Sequence, residues 1–301
     1  MSQKIPAGTH LSRSDNGPDV RGFFDPATHT ITYLVSDPAT AKAAIIDPVL
    51  DFEAASARTS TRSIDAVLTA MKEAGLELDL VLETHAHADH LSAAEHLRRM
   101  AGVPVGIGAH ITRVQSTFAP LFGAHDVGED GAVFDRLYQD GERFTLGTLS
   151  VEVLHTPGHT PACVSYLIGD ALFVGDTLFM PDYGTARADF PGGSASTLYR
   201  SIQRLLALPE NTRMFVGHDY LPEGRSDYRF ETTVGEQRRS NIHVGGGVTE
   251  EAFVQMREAR DATLKAPQLI MPSLQINIRA GALPPEDADG RRYLKMPLNT
   301  L

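Results

Sequence analysis

A chain of 301 residues with 42% hydrophobic and 22% charged residues has the composition of a soluble globular protein, long enough for one large domain or two small ones. Its formal net charge of −11 would repel a phosphate backbone, which argues against nucleic acid as a partner. The one cysteine, Cys163, excludes an intrachain disulfide framework, no apolar run approaches the ~20 residues of a membrane span, and residues 1–19 read as a frayed polar lead-in without the apolar core of a secretory signal, so a cytoplasmic protein with no membrane partner is expected.

In chain order, residues 22–24 and 30–35 flank a turn at Asp25-Pro26-Ala27-Thr28, and the β-branched and aromatic residues of 30–35 predict a hairpin. Residues 41–46 form another apolar strand that stops at Asp47-Pro48. Asp47 suits a turn, and it also suits a hydrogen bond to a histidine that holds a metal. Ile64, Val67, Leu68 and Met71 recur at helical spacing, which predicts a helix over 60–74 ended by Gly75. Residues 78–83 read as a buried strand. It runs into Thr84-His85-Ala86-His87-Ala88-Asp89-His90, with a helix expected over 91–100. Imidazole and carboxylate crowded at the carboxyl end of a strand suit zinc, iron or manganese, and strand ends are where open α/β sheets carry their sites.

Residues 103–107 predict a further strand, 110–122 fit no single pattern, and 123–141 read as a loop. The pairs 143–146 with 149–154, and 164–168 with 171–174, are hairpins around Gly147-Thr148 and Gly169-Asp170. Between them Pro157-Gly158 forces a turn with His159 at its tip, and His155 on the strand side is read as structural. The second hairpin ends in Gly175-Asp176, a helix spans 196–208, and the strand 214–216 ends in Gly217-His218-Asp219-Tyr220. Five strand ends thus carry Asp47, the His85–His90 cluster, His159, Asp176 and His218, whereas His10, His29, His96, His110, His125 and His243 read as surface or packing residues. Beyond 220, residues 249–264 have a helix start signal at Thr249-Glu250-Glu251, and 267–278 read as an extended segment that lines a cleft or forms a homodimer contact.

HAHADH, the PGHT turn, the Gly-Asp after a strand and Gly-His-Asp-Tyr occur in the order that resembles the metallo-β-lactamase superfamily. The resemblance implies an α/β fold, an αββα sandwich of two mixed β-sheets flanked by helices. One domain is expected over 1–301, with a core at about 20–220 and a C-terminal extension, 221–301, packed on it. THAHADH, TPGHTPACVSY, GDTLF and GHDY are more closely similar to the persulfide dioxygenases, and residues 181–193 and 269–281 resemble their bacterial β-lactamase-like hydrolase branch.

That resemblance implies one Fe(II) held by His85, His159 and Asp176, with glutathione persulfide and O2 converted to sulfite and glutathione. Asp47, His87, Asp89, His90 and His218 would then orient the ligands by hydrogen bonds or hold a second metal. Arg187 and Tyr220 are the candidates for anchoring the anionic substrate, with an ion pair to Asp189 or Asp182 as the structural role open to Arg187. Because every ligand of both superfamily metal positions is present, a dinuclear Zn2+ thioesterase resembling glyoxalase II is the alternative. Cys163 is read as a buried strand residue, not a nucleophile.

Overall fold

The structure is a computed structural model, and it describes residues 8–10 and 17–300; the lead-in expected over 1–19 lies mostly outside them. A seven-stranded sheet has the order β1-β2-β3-β4-β7-β9-β10. Its strands are β1 Gly8–His10, β2 Asp19–Asp25, β3 Thr30–Ser36, β4 Lys42–Ile46, β7 Glu77–Leu82, β9 Val105–Gly108 and β10 Arg136–Tyr138. A six-stranded sheet runs β11 Arg143–Leu146, β12 Leu149–His155, β13 Val164–Ile168, β14 Ala171–Phe173, β15 Arg213–Phe215 and β16 Glu231–Thr233. A small third sheet joins β6 Arg58–Ser60, β5 Val49–Glu53 and β8 Leu91–Ser92.

Alternation along the strands decides which face meets what. Tyr33 and Val35, Ala44 and Ile46, and Leu80 and Leu82 point inward and share one core with Val151, Val153, Tyr166, Phe173 and Phe215 of the second sheet. Leu34, Ile45 and Val81 point the other way, onto helices α1 Arg62–Glu73, α2 Ala94–Ala101 and α3 Ile111–Leu121. On the far side, Leu172, Val174, Met214 and Val216 pack on α4 Ala195–Leu206, α5 Val234–Ser240 and α6 Glu250–Asp261. Helices outside two facing mixed sheets give the αββα layering that the sequence implies. Helix α7 Ile270–Asn277 packs against β8 and α3.

Four expectations are corrected. The helix expected over 91–100 begins only at Ala94, because Leu91 and Ser92 pair with Val49 and Leu50 as β8. The unassigned 110–122 is helix α3, with Pro120 confined to its last turn. The loop 123–141 contains β10, which pairs in parallel with β9. The extended segment expected over 267–278 is helix α7, whose residues 273–277 are all buried; because polar Ser273, Gln275 and Asn277 are buried alongside Leu274 and Ile276, it lacks the one-sided apolar periodicity that identifies a helix from sequence. Among the described residues no helix is long and apolar enough to cross a membrane.

The two sheets are stapled at one end by Asp37, which is almost fully buried. Its carboxylate accepts hydrogen bonds from Ala39 N at 2.9 Å, Thr40 Oγ1 at 2.7 Å, Thr148 N at 2.7 Å and Thr148 Oγ1 at 2.9 Å. The last two reach the β11–β12 turn. Burial pushes the carboxyl pKa up, but the Thr148 and Ala39 amides and the two hydroxyls outweigh it and hold it at about 2. Asp37→Ala is expected to cost about 2–3 kcal/mol, because these donors lose a charged acceptor. A depressed pKa gives stability that is present above the ordinary carboxylate pKa and fades as pH falls, so the gap between wild type and variant should close between about pH 4 and pH 2. Urea midpoints across that range check it; a gap independent of pH would refute the staple.

Candidate metal centre

Loops at the carboxyl ends of β4, β7, β12 and β14, with the segment after β15, bring His85, His159, Asp176 and His218 together. Asp176 is the hub. Its Oδ2 lies 3.6 Å from His159 Nε2 and 3.9 Å from His85 Nε2, and its Oδ1 lies 3.2 Å from His218 Nε2. His218 Nε2 is also 3.3 Å from Asp89 Oδ2. One ligand atom each from His85, His159 and Asp176 lie within 4.8 Å of one another, and so do those of His87, Asp89 and His90.

Hydrogen bonds behind each ring fix which nitrogen is bare. Thr84 Oγ1 donates to Asp47 Oδ2 at 2.8 Å, so at 3.0 Å its lone pair takes the Nδ1–H of His85. Thr84 N donates to Asp47 Oδ1 at 2.7 Å. His159 Nδ1 donates to Arg187 O at 2.8 Å, and His90 Nδ1 to Leu91 O at 3.3 Å. Each ring therefore turns its Nε2 lone pair inward, which is how histidine ligands are oriented. Among the described residues, His85 Nε2, His87 Nδ1, His90 Nε2, Asp89 Oδ2 and Asp176 Oδ1 are buried without a hydrogen-bond partner. Buried polar atoms are rarely left so unless an ion takes the place of a partner. The donor set thus fits a metal.

His87 stands apart. Its Nε2 lies 3.1 Å from Asp47 Oδ1 and 3.0 Å from Glu83 Oε2, so that edge carries a proton shared between two carboxylates. Burial alone would lower its pKa, but Asp47 and Glu83 together hold it well above the ordinary value. Burial raises the Glu83 carboxyl to about 7, against the pull of His87. His85 is pushed well below the ordinary value, by burial first and by the neighbouring imidazoles next, and His90 is pushed down to about 3 by burial and His87. Neutral imidazoles are the form that binds metal.

Backbone geometry positions the candidate ligands. Gly158 has φ +140°, and a Cβ there would sit 2.3 Å from the Cα of Leu198, so the turn that carries His159 lies directly on α4. Asp47 is held at φ 50°, a left-handed conformation uncommon for aspartate, which aims both carboxylate oxygens at the Thr84 and His87 side.

A cleft of about 1930 Å³ opens over the centre. Asp89, His159 and Asp176 reach its floor, and Phe24, Phe179, Tyr183, Arg187, Tyr220 and Leu269 are among its walls. Arg187 is paired with Asp189, Nε to Oδ1 at 2.5 Å and Nη2 to Oδ2 at 2.6 Å, and Nη1 donates to Lys265 O at 2.7 Å. Asp182 pairs instead with Arg225, at 2.9 Å. Tyr220 stacks on His218 with ring centroids 5.4 Å apart, and burial holds its phenol pKa well above the ordinary value. His155 lies outside the cluster: its Nε2 donates to Pro161 O at 3.0 Å and its ring rests on His110. Cys163 is buried, its thiol pushed up to about 12. His243 is buried too, and its Nδ1 accepts from Thr185 N at 3.0 Å.

Three contributors escaped the sequence reading. Glu83 looked like the end of a strand, although an acid four residues before His87 is a usable signal. Thr84 opens the histidine run and carries no signal of its own. Asn277 donates to His87 O and His90 O, both at 2.8 Å, from 190 and 187 residues away, and no local pattern announces it.

Comparison with known proteins agrees with the geometry. The chain is 53% identical over 284 residues to a beta-lactamase hydrolase-like protein of Agrobacterium fabrum, covering 94% of this chain but 65% of that protein, so it spans about two-thirds of the relative's length. It is 51% identical to glyoxylase B2 of Dictyostelium discoideum, over 89% of this chain and 92% of that one. It is 32% identical to the mitochondrial persulfide dioxygenase ETHE1 of Bos taurus, over 93% and 96%. The crystal structure of ETHE1 from Myxococcus xanthus superposes with a TM-score of 0.70 at 33% identity, covering 87% of this chain and 99% of that one. Residues 26–218 match the model of the metallo-beta-lactamase superfamily, and the chain belongs to that superfamily of metal-dependent enzymes.

Proposed function

We propose that the protein is a persulfide dioxygenase: with one Fe(II) per chain, it oxidises glutathione persulfide with O2 to sulfite and glutathione. The observation that carries this reading is the convergence of two bare imidazole nitrogens and one carboxylate, from His85, His159 and Asp176, which is the ligand set of mononuclear non-haem iron oxygenases. The similarity to the persulfide dioxygenase ETHE1 supports it. A bound ferrous ion would activate O2, while the four electrons that reduce it come from the outer sulfur of the persulfide and one water completes sulfite and glutathione.

The chain's own residues do the rest. Arg187 O and the Thr84–Asp47 relay keep the His159 and His85 rings aimed inward. Phe24, Phe179 and Leu269 give the cleft dry walls, and Arg187 lies among them with its guanidinium already tied to Asp189 and Lys265 O. The Tyr220 phenol, kept protonated by burial, has a hydrogen bond to give the substrate.

A second reading rests on His87, Asp89 and His90, whose donor atoms also converge: a dinuclear zinc thioesterase acting on glutathione thioesters. The name hydrolase-like, carried by a 53% identical relative, suits a hydrolytic reaction. Metal analysis of purified protein, with oxygen uptake on adding glutathione persulfide, separates the two. About one iron per chain and O2 consumed with sulfite formed is the expected result; two zincs, and a thioester cleaved with no O2 uptake, would overturn it.

A further inference from the structure

The loop that carries His87, Asp89 and His90 belongs to no helix or strand, yet it is buried. Buried carbonyls in such a loop need donors. One side chain supplies them. Asn277, 4% exposed at the end of α7, donates through Nδ2 to His87 O and His90 O, each at 2.8 Å, and accepts from Ser92 N through Oδ1 at 2.9 Å. Its amide spends both donors and its acceptor on this stretch, and the two carbonyls it holds bracket Asp89.

The rest of the tail keeps Asn277 in place. Gln115 Nε2 donates to Ile278 O at 3.0 Å, and Arg279 grips Asp126 through two bonds of 2.7 Å. Gly281, at φ +84°, presses so close that a Cβ would meet Ser92 O at 2.8 Å. We infer that Asn277 is a positioning residue for the metal centre: it sets the spacing of His87, Asp89 and His90, so that the last part of the chain controls how tightly that donor set takes up metal. The inference rests on the cluster being a metal centre and is independent of the choice between iron and zinc.

The test uses full-length protein stripped of metal. Asn277→Asp keeps the shape and the acceptor but has no N–H to give; Asn277→Ser keeps one donor. Gln275→Ala is the control, on the same helix, with its amide tied to Met271 O and Lys295 O instead. Hydrogen exchange of residues 86–92 should speed up at least about tenfold in Asn277→Asp, less in Asn277→Ser, and not in Gln275→Ala. In Co(II) titrations against a chelator, Asn277→Asp should bind about 10–100-fold more weakly, the usual effect of removing a group that orients ligands. Gln275→Ala should stay within about twofold of wild type even where it lowers Tm. Wild-type exchange and Co(II) affinity in Asn277→Asp, or equal losses in Gln275→Ala, would overturn the inference.

Discussion

Asp176→Asn is expected to leave a folded protein with almost no bound metal and activity reduced by at least about 10³-fold. The carboxylate contacts three imidazoles, those of His85, His159 and His218, and its charge is what lets a cation sit among them. An amide has the same shape but no charge, and its NH2 group would point a donor where a ligand must present a lone pair. Losing about 4 kcal/mol of metal-derived stabilisation corresponds to that thousandfold. Folding should survive, because Asp176 Oδ1 has no hydrogen-bond partner to lose and an uncharged group is cheaper to bury. Metal content after equal loading, with the circular dichroism spectrum as a check on folding, gives the answer. His125→Ala, at an exposed site, should match wild type. A variant that retained wild-type metal would remove Asp176 from the ligand set.

How much of this was legible from the sequence depends on where each signal lies. Strand ends are local: a run such as residues 78–82, followed by a burst of histidine and aspartate, announces both the element and its chemistry, and the two hairpins at Gly147-Thr148 and Gly169-Asp170 pair in the expected register. The αββα layering was implied by motif order and follows physically from alternation such as Tyr33, Leu34 and Val35, which serves two different cores. What the sequence hides is the orientation of the candidate ligands. That Thr84 relays Asp47 to its neighbour His85, that a backbone carbonyl of Arg187 fixes His159, and that Asn277 holds the loop are facts whose long-range partners lie 37, 28 and 190 residues apart. The main-chain oxygen that serves His159 has no identity in a sequence at all. Arg187 drew attention for its guanidinium, yet that group is occupied by Asp189 and its carbonyl is what reaches the centre.

Arg257→Met is expected to be the most destabilising of these changes, at about 3–5 kcal/mol, a large part of the ~5–15 kcal/mol that holds a domain together. Arg257 is 1% exposed. Its Nη2 and Nε meet Asp261 Oδ1 at 2.6 and 2.9 Å, and its Nη1 donates to Thr185 O at 3.2 Å. Asp261 Oδ2 in turn accepts from Ala188 N at 2.9 Å. This buried pair on α6 therefore anchors the segment 185–188 at both ends, and the carbonyl between them, Arg187 O, orients His159. Methionine fills the volume but strands the Asp261 charge in the interior, and that uncompensated charge is the main cost. The double variant Arg257→Met/Asp261→Leu removes the charge and should recover most of the urea midpoint, because pairs in direct contact are strongly non-additive. It does not restore the anchors on Thr185 and Ala188. Metal affinity should therefore stay about 10–100-fold down in the double variant while stability returns. Recovery of both together would mean that the pair only holds the fold, and loss of neither in Arg257→Met would mean that α6 does not reach the centre.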